Sequence, residues 1–113
     1  MDRPARIRML ELATAELLES ETNASLRIGV AGRRRDALVI TAAGCALVVG
    51  LEHGPQVLVN ARSLDGCQDC GPRVLAARCE ATLRQLHGLG DDFVPTVAFD
   101  NPHNAARFRE RIG

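Results

Sequence analysis

Residues 37–42 and 45–51 are apolar at odd and even positions alike, and only Ala43-Gly44 parts them. A strand with one wet face alternates polar with apolar residues; a strand that does not alternate is covered on both faces. The two runs therefore read as a hairpin inside a sheet, with a covering layer above and another below. A chain of 113 residues has the size of one folding unit. One layer of helices covers one face, so the second cover comes from a remaining helix or from another copy of the chain.

The flanking sequence supplies the other elements. Residues 25–31 alternate in the manner of a half-wet strand, and Gly32 with Arg33, Arg34 and Arg35 reads as the turn that follows. A fourth strand over 57–62 comes after the turn His53-Gly54-Pro55. Four strands joined by short links predict an antiparallel meander. Ahead of them, Pro4 suits a first helical turn, and Ile7, Leu10, Thr14 and Leu17 recur at helical spacing, which predicts a helix over 4–19. Its charges oppose the helix dipole: Arg3, Arg6 and Arg8 sit at the positive end, Glu16, Glu19 and Glu21 at the negative one. Packing against the rest of the chain or against a partner has to outweigh that.

A second helix begins at Gly71-Pro72, directly after Cys67-Gln68-Asp69-Cys70. Leu75, Cys79, Leu83 and Leu86 follow one line along it, the pair Glu80 and Arg84 lies on the opposite side, and Gly88 and Gly90 end it. A short strand over 94–99 and a helix over 102–112 complete the chain. The prediction is an α+β fold in a single domain, 1–113. It consists of a four-stranded antiparallel meander sheet with an N-terminal helix, a central helix after Cys67-x-x-Cys70, one further short strand and a C-terminal helix.

Composition narrows the chemistry. All 14 basic residues are arginine, they balance 14 acidic ones, and lysine, tryptophan and tyrosine are absent. A Schiff-base or P-loop lysine, a tyrosine acid and a tryptophan stacking platform are thereby excluded. Without net charge the chain has no overall field to attract nucleic acid or an anionic membrane. The longest apolar stretch, 37–51, is shorter than the roughly 20 residues of a membrane span, and no apolar signal region precedes the first helix. A cytoplasmic location and no membrane partner are expected.

Two clusters carry candidate sites. Cys67 and Cys70 stand at a spacing that can grip one zinc ion or close a small disulfide at a helix start, where thiolate is favoured. Zinc requires further ligands, and His53, on the turn before the strand that leads to Cys67, is the first candidate. The run from residue 57 to 86 resembles part of the zinc-dependent nucleoside deaminases, which place such a pair at a helix start, but the His-x-Glu motif of that family is missing. It also resembles thioredoxin-like proteins, with Val94-Pro95-Thr96 in place of their Ile-Pro-Thr segment, yet the strand and helix that should intervene have no room. The second cluster, Arg33, Arg34 and Arg35 after Gly29-Val30-Ala31-Gly32, is similar to the Gly-x-x-Gly loop of KH domains and could contact phosphate. A solvated turn is the simpler reading, because the chain has no net charge and no aromatic residue stands nearby for base stacking.

No nucleophile elbow, Walker loop, dinucleotide fingerprint or His-Glu-x-x-His occurs, so the sequence leans against an enzyme. The reading is a small non-catalytic binding or regulatory domain that acts by protein–protein contact, with another protein or with itself as a homodimer. Its alternatives are a zinc or thiol-redox function at Cys67, Cys70 and His53, and nucleic-acid contact through Arg33 to Arg35.

Overall fold

The computed structural model describes residues 1–19, 24–43, 46–59, 71–90 and 92–112. In chain order the elements are α1 (Arg3–Leu18), β1 (Ser25–Val30), β2 (Arg33–Ala43), β3 (Ala46–Leu51), β4 (Gln56–Val59), α2 (Pro72–Leu86), β5 (Pro95–Phe99) and α3 (Pro102–Ile112). This is the predicted α+β arrangement. The short strand β5 is part of the main sheet, where it runs antiparallel to β1, so the sheet has five strands in the order β4-β3-β2-β1-β5. Helix α2 therefore carries the chain from one sheet edge to the other.

Register sorts the strand residues into two faces. Leu26, Ile40 and Val49 share one rung, and Ile28, Leu38 and Leu51 share another. These side chains join one apolar cluster with Leu10, Ala13 and Leu17 of α1, Leu75, Ala76, Cys79 and Leu83 of α2, and Phe108 of α3. Each fully buried Leu or Ile contributes about 1.5–3 kcal/mol. Phe99 of β5 meets Phe108 with ring centroids 5.5 Å apart and planes tilted by 57°, a favourable aromatic geometry. All three helices thus cover the same face. The two-sided cover expected for the middle hairpin is not supplied by the described residues of one chain.

The arginine segment also differs from expectation. The turn is Ala31-Gly32 alone, with Gly32 at φ 82, a region that glycine adopts without steric cost. Arg33 pairs with Val30 and already belongs to β2. Between the rungs Val30–Arg33 and Ile28–Leu38, β1 advances by two residues and β2 by five. The three extra residues form a bulge at the Arg34-Arg35 stretch, so these arginines belong to an irregular strand and not to a hairpin tip.

The charges that oppose the α1 dipole have partners in the other helices. At the start of α1, Asp2 caps the helix by accepting a hydrogen bond from the Ala5 N–H at 3.0 Å. Arg6 is fully buried and contacts Glu80 of α2 at 2.8 Å, with its guanidinium 4.2 Å from the Phe93 ring centroid. Arg3 and Arg84 lie 3.6 Å from the other Glu80 oxygen. Glu80 is thus buried against α1, although it stands opposite the leucine line of its own helix. At the far end of α1, the fully buried Glu16 meets Arg107 at 3.4 Å and Arg111 at 3.0 Å and accepts from Asn104 at 3.1 Å, all on α3. Glu19 completes that cluster through the same two arginines.

Candidate protein-contact surface

The sheet face turned away from the helices is built on two rungs. One joins Ser25, Thr41 and Val48, and the other joins Ala98, Arg27, Val39 and Gly50. None of these residues belongs to the apolar core. An antiparallel sheet with one solvated face normally presents polar residues there. Here the middle strands present Val39, Thr41, Val48 and Gly50, each half-buried, with the Pro55–Gln56 backbone close against Gly50. The two glycines of this face are closely neighboured: a Cβ at Gly29 would sit 2.9 Å from the Thr96 hydroxyl oxygen, and one at Gly50 would sit 2.6 Å from the Pro55 carbonyl oxygen.

One ion pair crosses this face. Arg27 donates to Glu52 through Nη2 at 3.0 Å and through Nε at 3.4 Å. Arg27 projects from β1 and Glu52 follows β3, so the pair spans the strand between them, β2. The Glu52 N–H bonds to the Ala37 carbonyl at 2.9 Å, which fixes the chain just past the end of β3. The hydrogen bond from Arg27 is the main cause that holds the Glu52 carboxyl below its ordinary value, with the positive charge of Arg27 adding to it.

His53 is exposed on the β3–β4 turn, while Cys67 and Cys70 lie outside the described residues. Among the described residues no three His, Cys, Asp or Glu side chains converge as metal ligands. Arg33 is exposed at the start of β2, and the side chains of Arg34 and Arg35 lie outside the described residues. Cys79 is buried on the core face of α2, and burial pushes its thiol up to about 12, far from the thiolate that zinc or redox chemistry needs. No described helix is long and apolar enough to cross a membrane.

A groove of about 320 Å³ also lies between α2 and the β3–β4 edge, with Leu51, Val57, Leu75 and Leu86 among its walls. Pro55 and Val57, at the start of β4, also line it. Sequence reasoning found the apolar middle strands but not the open face they form, because periodicity reports side-chain chemistry and not which side the helices take. The chain matches no protein-family model, and neither a curated protein nor a solved structure matches it.

Proposed function

We propose that this chain is a non-catalytic binding domain that acts through protein–protein contact, and that the helix-free face of its sheet is the contact surface. The observation that carries the reading is the row Val39, Thr41 and Val48, half-buried in the isolated chain and flanked by glycine and alanine where an open sheet would show polar residues. Another layer packed on such a face would sit about 10 Å away, the spacing of packed sheets. The core in turn is built from α1, α2 and α3 on the other side.

The test is site-specific photo-crosslinking in the producing cell, with a photoreactive residue at Thr41 and, as control, at Glu110, which is exposed on α3. Protein adducts at 41 and none at 110 are expected. Equal adduct yield at both positions, or none at either, overturns the reading.

A further inference from the structure

We infer that the groove between α1 and α2 is a binding site for a small organic phosphate, whose phosphate group is held between Arg3 and Arg8 of α1 and Arg73 of α2. The groove belongs to the helix layer, and the inference does not depend on the contact-surface reading above.

The groove has a volume of about 480 Å³, within the range of small-molecule sites. Pro4, Ile7 and Ala77 give it apolar walls, and Arg3, Arg8 and Arg73 bring three positive charges against the one carboxylate of Glu11. In a chain that balances 14 basic residues with 14 acidic ones, such a surplus is local to the groove. The first turn of α2 holds no acidic residue and its N-cap, Gly71, supplies no side-chain acceptor. Arg73 therefore adds its charge to the positive end of the helix dipole, an arrangement that a bound anion relieves.

The three guanidinium groups have donors to give. Arg3 lies 3.6 Å from a Glu80 oxygen and Arg8 lies 3.7 Å from a Glu11 oxygen, both beyond hydrogen-bond reach. The charge of Glu80 is shared with Arg6 and Arg84, so Arg3 is not its main partner. Among the described residues Arg73 forms no ion pair and no side-chain hydrogen bond. The Arg3 and Arg8 side chains are 56% and 66% exposed, and Arg73 is exposed as well, so a ligand reaches all three without repacking the core.

The chemistry of the groove selects the ligand. Three arginines less one glutamate leave a surplus of two charges, and a phosphate monoester near neutral pH carries about 1.5 to 2 negative charges on three acceptor oxygens. Guanidinium forks match those oxygens bidentately. The walls of Pro4, Ile7 and Ala77 offer apolar contact that a bare inorganic ion cannot use and an organic body can.

The experiment is an NMR titration of the full chain with phenyl phosphate, inorganic phosphate and phenol, at an ionic strength held constant with sodium chloride. Phenyl phosphate should shift the amides of Ile7, Arg8, Arg73 and Ala77 saturably. Inorganic phosphate should move the same amides with an affinity several-fold weaker, and phenol should leave them in place. R8A and R73A should each weaken phenyl phosphate by about tenfold or more, the loss expected for a charge-assisted hydrogen bond. E11Q removes the opposing carboxylate and should tighten binding, a direction that damage to the fold does not produce. R109A on α3, outside the groove, should bind as the parent does. Thermal unfolding followed by circular dichroism checks that each variant folds.

No saturable shift with either phosphate up to tens of millimolar overturns the inference. So do shifts that R8A and R73A leave unchanged. Equal affinity for the two phosphates overturns the assignment of an organic ligand.

Discussion

The Arg6 guanidinium on α1 and the Glu80 carboxylate on α2 meet at 2.8 Å with neither side chain reached by solvent. Phe93 covers the guanidinium from one side, and Arg6 also donates to the Met1 carbonyl at 2.6 Å. Buried pairs of this kind are costly to break from one side, because the remaining charge has no water to replace its partner. Arg6→Met or Glu80→Gln should each lose about 3–5 kcal/mol of stability, whereas the double variant Arg6→Met with Glu80→Leu should lose less than either single change. Urea unfolding of the three variants decides it, and additive losses would refute the pairing.

The α1–α3 junction allows a comparison within one cluster. Glu16 is fully buried, while Glu19 is half-exposed and shares its arginines. Glu16→Ala should cost about 3 kcal/mol or more, and Glu19→Ala less than about 1 kcal/mol, since exposed pairs are screened by water. Melting temperatures in one buffer suffice to rank them.

Cys79 should behave as a core residue. Its thiol, pushed up to about 12 by burial, remains protonated at neutral pH. In a variant with serine at the other three cysteines, a thiol-specific reagent at pH 8 should react only as fast as the domain opens. Reaction at the rate of a free thiol in native buffer would contradict its burial on the core face of α2.

Glu52 gives a pH dependence of defined sign. Its carboxyl is held below the ordinary value of 4.5, chiefly by the hydrogen bond from Arg27. A folded-state value below the unfolded one means that the contribution of the pair is present above pH 4.5 and fades as pH falls through the lowered value. An NMR titration of the Glu52 side chain should show a midpoint under 4.5 that moves upward in Arg27→Ala. No movement would show that Arg27 does not set it.

Gly50 is a further local test. A Cβ there would lie 2.6 Å from the Pro55 carbonyl oxygen and 2.8 Å from the Gln56 Cα, both backbone atoms that can move only if the β3–β4 turn moves. Gly50→Ala should cost about 1–3 kcal/mol, as overpacking does. At Gly71, where a Cβ meets nothing within 4 Å, the same change should leave stability near that of the parent.

Much of the fold was legible in the sequence, because the helices carry a helical period, β1 alternates, and the middle strands are unbroken apolar runs. The predicted helix over 102–112 coincides with α3 (Pro102–Ile112), and the predicted strands over 45–51 and 94–99 fall within one residue of β3 and β5. What period cannot convey is position. Nothing local in residues 95–99 says that they pair with β1, and nothing in the apolar run 37–42 says that Val39 and Thr41 face away from every helix. Glu80 was misread for a related reason: a carboxylate opposite a leucine line suggests solvent, and only the approach of α1 buries it. Of the candidate site, the middle strands were legible as apolar, but the Arg27–Glu52 pair joins residues 25 positions apart across an intervening strand. The Cys67 and Cys70 pair, the sharpest motif in the sequence, lies outside the described residues, and His53 is exposed on the β3–β4 turn.

The beginning and the end of this chain meet at several places. Strand β5 pairs with β1, α3 binds Glu16 of α1, and the terminal amine of Met1 lies 3.1 Å from Asp92. During synthesis, then, the first helix emerges with Arg6 and Glu16 unmatched and must wait for α2 and α3, the latter reaching to Ile112. The domain cannot settle from its leading end as it leaves the ribosome. It closes only once α3 has been made, and a chain cut short before α3 would expose Glu16 together with the apolar ring of Phe99.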